Sequence, residues 1–216
     1  NEFLKKRPDL TLAFTRILSQ RVVSRSGRKT IFSSINISVF SFDKGIGTST
    51  YAGLLAYAFA REAPARKVLL LEIAEEAHIR ANGVRGLSLD RVENDNYRDY
   101  VIRRHDVDYL AVTIGAEPLE TAVAVLVGIL DQEYHFVVID LPAADNSAGR
   151  SCLRQSDYIH VIVDPGTKEL ERQLEQLREC GPHGDTIGFV VRGNTNDSRF
   201  FFTRALEQEH VRIIAT

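Results

Sequence analysis

Glycines and small hydroxyl residues cluster between Asp43 and Thr50, in the sequence DKGIGTST. Glycines let a backbone approach an anion closely, and a helix that begins here would direct unpaired N–H groups at that anion. The usual phosphate-binding sequence ends in Gly-Lys-Ser or Gly-Lys-Thr, with lysine on the phosphates and hydroxyl on magnesium. Here it ends in Gly47-Thr48-Ser49, so the loop is present and its lysine is missing. The candidate phosphate-binding residues are Lys44, Gly45, Gly47, Thr48, Ser49 and Thr50.

A strand before this loop and a helix after it must position these residues. The β-branched and aromatic run Ile35–Phe42 predicts a buried strand, and the Ala- and Leu-rich run Tyr51–Glu62 predicts a helix. Further strands are predicted at Lys67–Ile73, Tyr109–Ile114, His135–Pro142, Tyr158–Val163, Thr186–Val191 and Val211–Ala215. Further helices are predicted at Asn94–Arg104, Leu119–Asp131, Asp145–Arg154, Glu169–Glu179 and Arg199–Glu209, with a loop at Gly83–Leu89. This alternation predicts an α/β fold with three layers and a mostly parallel, twisted sheet, whose ligands sit at the carboxyl ends of the strands.

The loop resembles the deviant phosphate-binding loop of the ParA/MinD family of P-loop ATPases. Members carry a signature lysine, glycines, a second lysine that contacts phosphate, and two hydroxyl residues. The residues that match are Gly45, Gly47, Ser49 and Thr50. In this register the signature lysine falls on Asp43 and the phosphate lysine on Thr48, while Lys44 lies one position away. The resemblance therefore implies the ParA/MinD type of P-loop fold with a degenerate loop.

The same resemblance implies roles for two carboxylates. In the family the second strand ends in an Asp-x-Asp pair that helps to place magnesium and the attacking water, and here these positions are Glu72 and Ala74. The run His135–Pro142 resembles the second nucleotide motif, whose aspartate is Asp140; a helix-capping role is the alternative. Asn194 lies near the position of the family's adenine-contacting Asn, although Gly and Asn also favour a turn there. Glu72 and Asp140 are expected to be vestigial metal-site carboxylates, with no catalytic residue and no bound metal.

The segment Glu2–Arg25 predicts an amphipathic helix with one apolar and one basic side. Its apolar residues recur at three- and four-residue spacing and are Leu10, Phe14, Ile17, Leu18 and Val22. The helix is therefore expected to stay folded by packing on the main domain or on a second copy of the chain. The polar run Ser24–Lys29 predicts a linker, which divides the chain into residues 1–29 and a P-loop-like domain of residues 30–216.

Two stretches resemble parts of multidomain lipases. The run FLKKRPDLTLAFTRILSQRV resembles the closing helices of cyclic-nucleotide-binding domains, with an ordinary amphipathic helix as the alternative. Gly149–Leu177, through its CLRQSD and QLEQ runs, resembles the segment before the patatin domain in neuropathy target esterase and its bacterial relatives. Those proteins place a ParA-like region with an eroded loop between cyclic-nucleotide-binding and lipase domains. The resemblance implies an internal domain of a longer protein, and the lipase motif Gly-x-Ser-x-Gly does not occur in this sequence.

The amino-acid composition limits the class of protein and the cellular compartment that can be expected. The hydrophobic share is 44%, the charged share is 26% and the net charge is −2, as in an ordinary globular protein. Cys152 and Cys180 have neither metal nor disulfide-framework spacing, which predicts a reducing, cytoplasmic compartment. No apolar run reaches membrane-spanning length, and the start without Met suggests a longer parent protein. The histidines have no metal spacing and are expected at the surface or at strand ends: His78, His105, His135, His160, His183 and His210.

These observations predict a non-catalytic, P-loop-ATPase-like domain that serves a larger protein in regulation or interaction. Phosphoryl transfer depends on positioning and on charge stabilisation by lysine and metal, both of which are depleted here. No cofactor is expected, with Mg-ATP bound only weakly. The expected partners are other domains of the parent protein or a second copy. One alternative is an atypical ATP-binding ParA/MinD-type ATPase in localisation or partitioning, with Lys44 serving the phosphates. A second alternative is a surface-associated or nucleic-acid-associated module that uses the basic N-terminal residues 1–29. No nucleic-acid partner is predicted, and the basic helix is compatible with peripheral membrane association.

Overall fold

The computed structural model describes residues 34–74, 86–89, 96–114, 120–142, 147–164, 175–177, 179, 187–191 and 212–215. The predicted N-terminal helix, the linker, Asn194 and the helix predicted at Arg199–Glu209 lie outside these residues. Most of the segment predicted as a helix at Glu169–Glu179 also lies outside them. The division of the chain at residues 29 and 30 therefore stays a prediction.

Nine strands form one sheet in the described part of the chain. They are β1 (Ile35–Phe40), β2 (Val68–Ala74), β3 (Leu87–Ser88), β4 (Ile102–Arg104), β5 (Val107–Thr113), β6 (Phe136–Asp140), β7 (Tyr158–Val163), β8 (Ile187–Val191) and β9 (Arg212–Ala215). The order is β3-β5-β2-β6-β1-β7-β8-β9, and all neighbours in it are parallel. The short β4 pairs antiparallel with the first residues of β5. The predicted, mostly parallel sheet is confirmed.

Helices cover both faces of this sheet. The described α-helices of full length are α1 (Thr48–Glu62), α2 (Glu120–Leu130) and α3 (Ser147–Gln155). The alanines of α1 share a buried cluster with Val39, Leu70 and Val138 of the strands. Buried residues of α2 and α3 share another cluster with alternate residues of the same strands, including Leu69 and Leu71. The predicted three-layer α/β architecture is confirmed.

Small side chains explain how closely α1 lies on the sheet. Ala52, Ala56 and Ala60 recur every four residues and are all buried, so one side of the helix is nearly flat. Near the end of α1, the ring of Phe59 stacks on Phe136, with 4.5 Å between the ring centroids. The contact fixes the far end of α1 over the start of β6, and so also fixes where the loop before α1 must lie.

The region before β5 differs from the prediction. A polar surface helix was expected at Asn94–Arg104, whereas a short 3-10 helix at Asn96–Tyr100 is followed by β4. Tyr97 is fully buried, and Arg98 forms an ion pair with Glu133. The prediction failed because the turn that joins β4 to β5 contains no glycine, and a hairpin is difficult to recognise without one.

The predicted loop at Gly83–Leu89 is also partly wrong. Leu87–Ser88 forms β3 and pairs with Val112 and Thr113 of β5. Leu87 and Leu89 are completely buried, whereas Ser88 between them is not. An apolar-polar-apolar alternation of only three residues is too short to predict a strand with periodicity alone.

The hairpin turn offers a test of these backbone conformations. His105 and Asp106 have φ of 47° and 63°, a left-handed region that costs about 1–2 kcal/mol for an ordinary residue. Replacing the pair by Asn-Gly should raise the free energy of unfolding by about 1 kcal/mol, since this dipeptide favours the type I′ turn. Urea titration would measure the gain. Asp99→Gly, at an exposed position without positive φ, is the control and should destabilise the protein. A loss of stability in the Asn-Gly variant would contradict the assignment of the turn.

Candidate functional site

The loop between β1 and α1 keeps a backbone that only glycine adopts easily. Gly45 and Gly47 have φ of 77° and 100°. A Cβ atom added at either position would meet nothing within 4 Å. Glycine is therefore favoured here by the backbone conformation and not by crowding. The open space in front of both residues leaves room for a ligand at the backbone.

Gly47 is the N-cap of α1, and no side chain caps the helix. The first intrahelical hydrogen bond is donated by the N–H of Tyr51 to the oxygen of Gly47, at 2.9 Å. The N–H groups of Thr48, Ser49 and Thr50 therefore precede the hydrogen-bond ladder of the helix. No acidic residue lies in the first turn of α1. Such a helix start can favour a bound anion, so the backbone agrees with the predicted phosphate-binding loop.

The side chains of the loop do not complete that site in the usual way. Thr48, which occupies the position of the phosphate lysine, is uncharged and half-buried at the first residue of α1. Asp43 and Lys44 are both exposed, and the backbone N–H of Asp43 donates to Ser41 Oγ at 3.0 Å. One lysine and one aspartate are therefore adjacent in the loop, so the two side chains together add no net charge to it.

The two predicted carboxylates are neighbours. Glu72 at the end of β2 lies opposite Asp140 at the end of β6, and Asp140 in turn lies opposite Val39 of β1. Asp140 is only 7% exposed, and the next N–H, of Leu141, donates to the oxygen of Val39 at 3.0 Å. The carboxyl ends of these strands meet where the loop after β1 begins, which is the position that the sequence predicts.

Asp140 is the last residue of β6, and the described part of α3 begins at Ser147, so the capping alternative for Asp140 stays untested. Ala74 stands at the second position of the acidic pair, and its carbonyl oxygen accepts a hydrogen bond from the N–H of Ile114 at 2.9 Å. Its methyl group can offer nothing to a metal ion. The site thus combines Glu72 and Asp140 with an uncharged residue at Thr48.

Sequence reasoning missed a buried pair beside the loop. His160 was expected at the surface or at a strand end, whereas it is the third residue of β7 and is buried. Its Nδ1 lies 2.9 Å from the hydroxyl of Tyr51, in the first turns of α1. His160 lies opposite Val39, in the same row of the sheet as Asp140. The continuous apolar run around His160 was the available signal, because a residue inside such a run is buried.

Burial changes the acid-base behaviour of this pair. Desolvation lowers the pKa of His160 and raises the pKa of Tyr51. Both side chains are therefore held in their uncharged forms at neutral pH, and the contact is a neutral hydrogen bond. It joins β7 to α1 one turn past Gly47, so it helps to fix the angle at which the helix leaves the loop.

The described residues give no support for a metal site, a reactive cysteine or a membrane-spanning helix. They contain no group of three or more His, Cys, Asp or Glu side chains that could hold a metal ion. Burial raises the pKa of the Cys152 thiol, which disfavours the reactive thiolate. In the same part of the chain, no helix has both the length and the apolar character needed to cross a membrane.

Solved structures share this architecture. A ParA family ATPase from Chlorobium tepidum superposes with a TM-score of 0.65 at 19% identity, covering 85% of this chain and 84% of that one. The MinD cell division protein of Aquifex aeolicus gives 0.65 at 15% identity, covering 84% and 80% of the two chains. Cobyrinic acid a,c-diamide synthase from Mycobacterium smegmatis, solved with an ATP analogue and magnesium, gives 0.64 at 16% identity, covering 81% and 82%.

At the level of sequence, no protein-family model and no curated protein matches the chain. Similarity at these identities establishes the fold alone. The predicted fold class, an α/β fold like that of ParA/MinD P-loop proteins, is thereby confirmed. The roles of the loop residues and of the two carboxylates stay predictions.

The buried histidine predicts a pH dependence of stability. Its pKa in the folded protein lies below the value of about 6.5 that it has when unfolded. Above that pH both states are neutral and nothing changes; below it the unfolded chain binds a proton that the folded chain does not, so stability falls as pH falls. His160→Gln keeps a hydrogen-bonding side chain and should flatten this decline between about pH 6.5 and 5.

Denaturant titrations across that range would measure the effect. His135→Gln is the control, because the pKa of this half-exposed residue is also lowered, by desolvation and then by Arg66 and Lys67, but with far less burial. It should flatten the decline less. Parallel curves for the wild type and His160→Gln would contradict the placement of His160.

Proposed function

We propose that this domain is a P-loop-ATPase-like module that no longer hydrolyses ATP and acts instead as a regulatory or interaction domain. The observation that carries the proposal is Thr48 at the first position of α1, where a phosphate-binding loop has its lysine. The scaffold around it is intact, whereas the cation that stabilises charge on the outer phosphates is absent from that position. A domain that lacks this lysine can still bind an anion, but phosphoryl transfer depends on the positive charge of the lysine.

The balance of charge around the loop supports the proposal. Asp43, Glu72 and Asp140 each bring a carboxyl group to this edge of the sheet, whereas Lys44 is the one basic residue of the loop. Nucleotide phosphates would therefore meet more negative than positive charge. Bound magnesium would reduce the repulsion, but Ala74 leaves its coordination one carboxylate short of the family pattern. The missing lysine and the missing carboxylate would both weaken the same step, the transfer of the outer phosphate of ATP.

The backbone cradle alone can still attract an anion. Three N–H groups at the start of α1 and the helix dipole favour negative charge, typically by about 0.3–1 kcal/mol. That contribution suits weak binding of phosphate or sulfate. It is too small to hold the full triphosphate against the carboxylates described above.

The setting of the domain is proposed from its sequence resemblance. The run Gly149–Leu177 is similar to the segment before the patatin domain in neuropathy target esterase-like proteins, which supports an internal domain between a cyclic-nucleotide-binding sensor and a lipase. The partners would then be those domains or a second copy of the chain. The location would be cytoplasmic, with peripheral membrane contact through the basic residues 1–29.

A second function, an atypical ATPase, is favoured by one observation. Lys44 is exposed and lies one residue before Gly45, so its long side chain can turn toward the phosphates. Glu72 and Asp140 are also side by side at the strand ends, where a metal ion could be held. In that case Lys44→Ala would abolish turnover.

Single-turnover hydrolysis of ATP tests the proposal. The wild type should show no more turnover than Asp140→Ala, and Thr48→Lys should recover none, since catalytic residues that act as a unit are strongly non-additive. The combination of Thr48→Lys, Asp43→Lys and Ala74→Asp restores both lysines and the missing carboxylate, and is the variant in which activity could return. Wild-type turnover above the Asp140→Ala control, lost again in Lys44→Ala, would establish the atypical ATPase instead.

A further inference from the structure

The face of the sheet on which α1 lies is wider than α1 itself. The helix packs against β1, β2 and β6. In the strand order β6-β1-β7-β8, three spacings separate β6 from β8. At about 4.8 Å for each spacing, the two strands are about 14 Å apart. A helix with its side chains is about 10 Å across. β7 and β8 therefore extend beyond the helix on this face.

The strip of β7 and β8 beyond α1 is apolar and includes the buried Ile162 and Val190, and we call it the β7–β8 groove. Its floor consists of Tyr158, Ile162 and Val190, and Leu55 of α1 lines its side. Ile162 and Val190 belong to the same buried cluster as the alanines of α1, with 4% and 8% of their surface exposed. Tyr158, by contrast, is 50% exposed. Leu55 lies one helical turn after Tyr51, on the side of α1 that reaches β7 through His160.

Chain connections after β6 run on the other face. The connection from β6 to β7 is α3, whose buried residues lie in the opposite cluster. Leu177, between β7 and β8 in the chain, is buried in that same opposite cluster. A right-handed connection from β8 to β9 is directed to that side as well. Among the described elements, α1 is thus the one helix on the groove's face. The chain before Ser34 precedes β1, so no strand connection directs it to the opposite face.

We propose that the apolar side of the N-terminal segment packs into the β7–β8 groove, beside α1. That side consists of Leu10, Phe14, Ile17, Leu18 and Val22. As a helix, Asp9–Val22 would be about 21 Å long, which matches the length of about 20 Å of the six-residue β7. Neighbouring helices pack 8–10 Å apart, about two strand spacings, so a helix beside α1 lies over β7 and β8.

The connection allows this arrangement. Residues 23–33 can extend to roughly 36 Å, enough to reach any point of the groove. They enter the sheet at Ser34, next to β1, and Tyr158 lies opposite Ile37 near that same end. A segment tethered this closely has an effective concentration in the millimolar range, which favours its own groove over that of a second copy.

Charge favours the same partner. Residues 1–29 carry eight Lys or Arg and two Asp or Glu. Asp157 and Asp164 are exposed and flank the two ends of β7, and Asp157 Oδ2 accepts a hydrogen bond from the N–H of Asn36 at 2.8 Å. A helix with an apolar side in the groove would bring its basic flanks toward both carboxylates. The groove thus fits this segment in length, polarity and charge.

Cross-linking of the full-length chain tests the proposal. Cys180 is replaced by Ser, and the buried Cys152 is left in place. Ile17→Cys with Tyr158→Cys should react with a short bismaleimide to give a monomer-sized product at a rate independent of protein concentration. Arg16→Cys with Tyr158→Cys is the matched control and should react roughly tenfold more slowly, because Arg16 lies off the apolar side of the helix.

Three outcomes would overturn the proposal. Equal rates for the two pairs would show that the segment does not dock, and a dimer-sized product that grows with concentration would show that a second copy fills the groove. Faster reaction of Ile17→Cys with Leu54→Cys would place the segment on the exposed side of α1, where Leu54 is 63% exposed. Hydrogen exchange gives an independent readout: Phe14→Asp should speed exchange in Tyr158–Val163 about tenfold, whereas Arg16→Asp should not.

Discussion

The parallel register of four central strands is the constraint on which the rest of the structure depends. It places Glu72, Asp140, Val39 and His160 in one row across β2, β6, β1 and β7. Because paired residues of parallel strands point to the same face, all four lie on the face of the sheet that α1 covers. The loop after β1 must pass over this row, and the bond between Tyr51 and His160 fixes its exit. The geometry of a phosphate site therefore follows from the sheet.

The charged side chains of the loop, unlike its backbone, differ from those of a phosphate-binding loop. Two glycines with positive φ and a helix N-terminus survive, so the backbone can still surround an anion. In the register of the sequence resemblance, Thr48 and Asp43 stand where the ParA/MinD family has lysines, and Ala74 stands where it has a carboxylate. A fold held by apolar packing tolerates these changes, since none of them lies in the buried core. Under the proposed function, the scaffold persists as a surface for partners without ATP hydrolysis.

Most of the architecture could be predicted from the sequence, because continuous apolar runs and alanine spacing are strong signals. β7 has the predicted bounds Tyr158–Val163, and β2 differs from its prediction by one residue at each end. The positions of Glu72 and Asp140 follow from strand order. The hairpin around His105 could not be predicted, because its turn lacks glycine. The partner of His160 could not be predicted either, because that contact joins residues 109 positions apart.

Calorimetric titration with Mg-ATP tests the central claim, that the loop keeps its shape and has lost its charge. The wild type should show no saturation at micromolar nucleotide, whereas Thr48→Lys should bind measurably tighter because a cation returns to the first position of α1. Asp140→Ala serves as a control for binding through the metal side. Micromolar or tighter affinity in the wild type, lost on Lys44→Ala, would contradict the claim and show that Lys44 replaces the missing lysine.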